Sequence, residues 1–207
     1  MVSEIRIYVE GGGDRSDSKA AIREGFNNFL QPLRDLARAH RARWSLTVCG
    51  SRNAAFDAFR RAIEDYPDSF LVLLVDAESL VTHSPWKHLR DRDGWDSGEL
   101  AVEHCHLMVQ TVEAWLVADP ETLADFYGKG FLQGALPRRH DVEAIAKDDL
   151  VRALDRATAR TQKGRYHKIL HCSILLGLLN RDRVRARARH CDLLFTTLEA
   201  RIRGTAE

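Results

Sequence analysis

The run Phe70-Leu71-Val72-Leu73-Leu74-Val75, closed by Asp76-Ala77-Glu78, constrains this 207-residue chain more than any other stretch. A strand of six consecutive apolar residues has no face to offer water, so it predicts the interior of a sheet covered on both sides. Two more strands precede it. "EIRIYVE" alternates Ile5, Ile7 and Val9 with polar or aromatic neighbours, and "RWSLTVCG" is strand-like as well. Between them a helical pattern runs from about Asp17 to His40, with Ala21, Ile22, Phe26, Phe29, Leu30, Leu33 and Leu36 at three- and four-residue steps. Pro32 is expected to kink or divide it. "SRNAAFDAFRRAIEDY" supplies a second amphipathic helix, with Ser51 or Asn53 as its cap. Strand, helix, strand, helix, strand, with strands of buried character, predicts an α/β fold: a mainly parallel sheet flanked by helices on both faces.

Residues 79 to 100 are polar and punctuated by Pro and Gly, and a connection of that length is expected to be a lid, a binding segment or partly disordered. "EHCHLMVQ" reads as a fourth strand. "TVEAWLVADPETLADFYG" reads as a helical segment broken at Asp119-Pro120, where Pro120 can open the next helix at its first turn. From Lys147 onward the periodicity is helical in three stretches. The expected organisation is a core over residues 1 to 120 with about four strands, and a helical portion over 121 to 207 packed on it and not independent.

The longest apolar runs fall short of a membrane span, and the N-terminus enters a strand-like run at once with no leader pattern. Four scattered cysteines suggest reduced structural thiols, and a cytoplasmic location is expected. The net charge of +1 hides an asymmetry: residues 151 to 207 hold thirteen Lys/Arg against five Asp/Glu, and the remainder is acidic in balance. That basic tail is either a set of solvated helix faces or a surface for nucleic acid or an acidic partner.

In parallel α/β sheets ligands bind outside the carboxyl ends of the strands. There the first strand ends in "EGGGD", Glu10 to Asp14, and the apolar strand ends in Asp76 and Glu78. If the backbone stays extended, the two-residue spacing points Asp76 and Glu78 to the same side. Carboxylates gathered in a partly dry site are costly unless a cation lies between them. Oxygen ligands without cysteine or clustered histidine favour Mg²⁺ or Mn²⁺, held by Glu10, Asp14, Asp76 and Glu78. On the other reading Asp14 only caps the following helix and Glu78 faces solvent. No Gly-x-x-x-x-Gly-Lys-Ser/Thr is present, so the glycines are not a nucleotide P-loop.

"VEGGGD" with "LLVDAE" resembles the two signature elements of the Toprim fold, in which a Glu ends the first strand within E-G-x-x-D and a D-x-D ends a later one. Glu10, Gly11, Asp14 and Asp76 match, and Glu78 stands where the second Asp would be, keeping the charge on a longer arm. Over nearly the whole chain, "MVQTVEAWLVADPETLADFYG", "LP" and "TQKGRYHKILH" resemble a Toprim-like bacterial family catalogued as domain of unknown function 4276. The resemblance implies a metal-dependent nuclease, often encoded beside an ABC-type ATPase in anti-phage defence.

Glu113 sits at a strand-to-helix junction. It is a fifth acidic site residue, which the resemblance favours, or a first-turn glutamate favoured by the helix dipole. Lys163, Arg165 and Lys168 cluster at a helix entrance, where cations are unfavourable unless they face phosphate. Lys168, and secondarily Lys163, could stabilise charge on a scissile phosphate. The leading expectation is thus a Mg²⁺-dependent phosphodiesterase acting on DNA or RNA. Glu10, Lys168 and Glu113 are its catalytic candidates, with Glu10 a ligand or a general acid or base. Lys163, Arg165, Arg183, Arg185, Arg187 and Arg189 would contact the backbone, the last four as an extended strip or a helix. The alternatives are a weakly active subunit docking on the ATPase, and a small-molecule phosphatase or phosphotransferase. Self-association stays open.

Overall fold

A computed structural model describes residues 2–204. Four strands, β1 (Glu4–Glu10), β2 (Arg43–Gly50), β3 (Phe70–Asp76) and β4 (Cys105–Met108), form one sheet in the order β2-β1-β3-β4, with every pairing parallel. β3 lies between β1 and β4 and is buried along its whole length, as an unbroken apolar run requires. Its side chains alternate between two cores. Val72 and Leu74 join Phe26, Phe29 and Trp115 on one face, while Leu71, Leu73 and Val75 join Phe59, Trp86 and Leu89 on the other.

The helical pattern over 17 to 40 is divided into α1 (Ser16–Phe29) and α2 (Gln31–Ala39), with Pro32 in the first turn of α2, where its missing N–H costs nothing. α3 (Arg52–Asp65) is capped by Ser51, whose Oγ accepts the Ala54 N–H at 3.3 Å. The connection after β3 differs from its expectation. It contains α4 (Pro85–Asp93), capped by Ser84, opened by Pro85 and closed by Gly94 in the left-handed conformation. Trp86, Leu89 and Trp95 are buried, so this segment packs into the second core and is no open lid. β4 is also shorter than expected, because Val102–His104 form a 3-10 turn before it.

α5 (Val112–Ala118) and α6 (Pro120–Tyr127) meet at Asp119, which caps α6 by accepting the Thr122 N–H at 3.3 Å. α7 (Lys147–Thr158), α8 (Lys168–Leu178), α9 (Arg181–Arg187) and α10 (Arg189–Arg203) follow. The extended basic strip considered for residues 183 to 189 is replaced by α9 and the start of α10: Asn180 caps α9 by accepting the N–H groups of Asp182 and Arg183 at 3.0 and 3.3 Å. Leu175, Val184, Leu194, Phe195 and Leu198 close the same core that the first strands begin. No helix among the described residues is long and apolar enough to cross a membrane.

Candidate metal centre

Because β1 and β3 are parallel neighbours, their carboxyl ends lie side by side and bring their last residues, Glu10 and Asp76, together. Glu78 joins them: one carboxylate oxygen from each of the three lies within 4.8 Å of the others. The route differs from the extended backbone expected. Glu78 adopts φ +69°, the left-handed region that is unfavourable for residues other than glycine, and its N–H donates to the Gln110 carbonyl at 2.7 Å. The turn, and not strand alternation, aims its carboxylate. Asp14 lies exposed on the loop before α1, outside this group of three.

Each carboxylate has a cationic neighbour. Arg52, the first residue of α3, forks onto Asp93 at 3.0 and 2.8 Å and donates to Glu10 at 3.2 Å and to the Asp76 carbonyl. Lys147 pairs with Glu78. Lys168 Nζ lies 3.5 Å from Asp76 and 3.3 Å from Glu113, whose other contact is the Tyr166 hydroxyl, donating at 3.1 Å. Arg52 is thus shared between Glu10 and Asp93, and Lys168 between Asp76 and Glu113, so the group retains an excess of negative charge. The effect shows at Asp76. Burial pushes its carboxyl up to about 7, Lys168 opposes the rise, Glu10 and Glu113 add to it, and the Val112 N–H that donates at 2.9 Å offsets only part. Burial likewise raises the Glu10 pKa against the pull of Arg52. At Lys168 burial alone would lower the ammonium pKa, but Asp76 and Glu113 outweigh it and the group is held charged. An all-oxygen donor set of this spacing and surplus charge fits one hard divalent cation, whose ligands lie at roughly 2.1 Å for Mg²⁺.

The glycines fit this reading by shape. Gly12 and Gly13 have φ +78° and +59°, and a Cβ on Gly12 would lie 2.8 Å from the Lys19 backbone. Lys19 folds back over Gly50, where a Cβ would meet its Cε at 2.9 Å, and it makes no ion pair with any described residue. The loop, Glu10, Asp76 and Lys168 border a cleft of about 200 Å³.

The remaining basic candidates are placed elsewhere or engaged within the fold. Lys163 lies over the Phe126 ring and Arg165 pairs with Asp155. Arg183 binds Asp119 at 2.9 Å and also Glu121, and Arg185 binds Asp192 at 2.7 Å and Glu199 at 3.1 Å. Arg187 donates to the carbonyls of Ala118 and Arg139, each at 2.8 Å. Arg189 is exposed at the start of α10.

Arg52, Lys147 and Lys19 shape the site without having been singled out from sequence. Arg52 and Lys147 open helices, and Lys19 lies near the start of one, so their places near the carboxyl edge follow from topology; no local motif marks them. The family model for Domain of unknown function (DUF4276) matches residues 9–199, and the chain belongs to that family. Neither the curated proteins nor the solved structures gave a match.

Proposed function

We propose that the protein is a divalent-metal-dependent phosphodiesterase acting on nucleic acid, in the manner of a Toprim nuclease domain. The observation that carries the reading is the meeting of Glu10, Asp76 and Glu78 within 4.8 Å at the carboxyl edge of a parallel sheet, beside a glycine loop. Mg²⁺ or Mn²⁺ there would lower the pKa of an attacking water and neutralise charge on the phosphate. The chain's own groups supply the rest. Lys168, held charged by two carboxylates, stands 3.5 Å from Asp76 and would stabilise charge growing on a phosphate oxygen. Glu113 and Tyr166 hold Lys168 in place and act through it. Lys19 beside the glycines offers a second cation to the same phosphate.

Incubation of the purified protein with DNA and RNA panels in Mn²⁺ tests this. Strand cleavage is expected, lost with EDTA and in Glu10→Gln. Cleavage that survives Glu10→Gln in a metal-free buffer would sink it. A second reading, a weakly active subunit that docks on an ABC-type ATPase, draws support from the internal engagement of Arg183, Arg185 and Arg187, which leaves fewer cations on the C-terminal surface for phosphates. An inert isolated protein that cleaves only after its ATPase partner is added would select it.

A further inference from the structure

A second charged surface lies at the opposite end of the sheet from the carboxylates. From α2 to the start of β2 the chain reads "RDLARAHRAR", residues 34 to 43, four arginines against one aspartate. The fold turns this run into an open groove of about 640 Å³, lined by Arg34, Arg38, Arg41 and Arg43 with Asp35 and the half-buried Trp44. The arginines are surface groups: the side chains of Arg38 and Arg43 are 83% and 76% exposed, and Arg34 and Arg41 are exposed as well. Arg38 meets Asp35 at 3.2 Å, an ion pair too exposed to hold it firmly. Arg43 meets Glu4 at 3.1 Å, a carboxylate it shares with Arg6. Arg34 and Arg41 make no ion pair with any described residue. Like charges held this close repel one another, and an anion between them would relieve the repulsion. Cations also connect the groove to the carboxyl edge. Lys19, Arg23 and Asn27 recur at four-residue steps and share one side of α1. Lys19 lies against Gly50, the last residue of β2, and the Asn27 carbonyl accepts from Arg34 at 3.4 Å. The exposed Arg23 therefore stands between the glycine loop and the groove.

We infer that the arginine groove and the line of cations leading from it hold the sugar-phosphate backbone of a nucleic-acid strand, whose continuation reaches the carboxylates. The choice of a phosphodiester chain over other polyanions rests on the phosphodiesterase reading above. A small anion would fill the groove alone and leave Arg23 and Lys19 unused. β2 is the edge strand that joins the two regions: Arg43 is its first residue, and its last, Gly50, pairs with Glu10. Its eight residues span about 23 Å. One strand of a duplex places a phosphate every ~3.4 Å, so about seven phosphates cover that distance. A shorter duplex cannot touch both ends at once. Guanidinium groups facing phosphate carry no sequence information, so the groove positions the strand and does not choose it.

Binding is measured in EDTA, so that strands stay intact, with labelled DNA and RNA of about 4, 8, 12 and 20 nucleotides, single and duplex, at several salt concentrations. The variant carries Arg34→Ala, Arg38→Ala and Arg41→Gly together. All three positions are exposed, and Arg41 has φ +60°, which glycine adopts without strain, so the variant is expected to fold. Wild-type affinity is expected to climb between about 4 and 12 base pairs, whatever the sequence. In the variant, binding of the longer duplexes should weaken about tenfold or more at low salt, and the slope of log affinity against log salt should flatten by up to about 2.7. Equal affinity and equal slope in the variant, or no binding by wild type, would overturn the groove. Polyglutamate bound as tightly as nucleic acid of the same charge would also overturn it, by assigning the groove to an acidic protein. Melting with and without Mn²⁺ separates the two claims. Binding lost in the variant, with no Mn²⁺ shift in wild type, would keep the groove and remove the phosphodiesterase. A Mn²⁺ shift in wild type, with binding untouched in the variant, would do the reverse.

Discussion

Asp76 keeps its proton far above the range of an ordinary aspartate, which ionises near ~3.9. Burial raises it to about 7, and the ammonium of Lys168 recovers only part of the cost. Between those two values the native protein holds a proton that the unfolded chain has released. The contribution is fully present below about pH 4 and is lost as pH rises through about 7, an effect on the order of 4 kcal/mol in the metal-free protein. Glu10, raised by burial as well, adds to the same trend. A divalent cation bound as proposed would take the proton's place, so the stabilisation it gives should grow over the same window. Asp76→Asn cannot ionise. Metal-free melts at pH 5 and pH 8 should therefore show a steeper loss in wild type than in Asp76→Asn, and the variant should be the more stable protein at pH 8. A variant less stable than wild type at pH 8 without metal would mean that the buried charge is already compensated within the protein. Nothing in the sequence announces the left-handed Glu78, because its conformation is fixed by the hydrogen bond to Gln110 across the sheet end.

Among the elements, α1 and α8 set the width of the cleft, and Gly25 sets their distance. A Cβ there would collide with the Ser173 carbonyl oxygen, which is backbone and cannot swing aside. Gly25→Ala should cost about 1–3 kcal/mol of stability by overpacking. Because Lys168 begins α8, the wedge should also weaken the proposed cleavage in folded protein, whereas Gly98→Ala, which meets open space, should leave it unaltered despite its positive φ. Denaturant melts with activity assays check this, and equal stability of Gly25→Ala and wild type would show that the helices separate freely. Legibility differs among elements for physical reasons. Long amphipathic periods and the apolar β3 run declare themselves, since burial patterns them. α4 carried its signals, Ser84 before Pro85 and Gly94 after, but its polar middle hid them. α9 was obscured because alternating arginines suit an extended chain equally well. They became helical because Arg183, Arg185 and Arg187 found acidic or carbonyl partners distant in sequence.

In the whole molecule, parallel topology does the work of assembly. Every strand delivers its carboxyl end to one edge, so Glu10 and Asp76, 66 residues apart, meet there with the backbone N–H of Asp76 donating to Glu10 at 3.2 Å. That convergence was legible, because the order strand, helix, strand fixes which ends gather. The cations that balance it were not: Arg52 depends on Asp93 from α4, and Lys147 reaches Glu78 from a helix 69 residues onward. The most direct test of the account is calorimetric titration of Mn²⁺ into wild type, Glu10→Gln and Asp76→Asn, each shown folded by its melting transition. Saturable binding is predicted in wild type, weakened about 100-fold or more in both variants. Undiminished binding in the variants, or none in wild type, would contradict a metal centre at this edge.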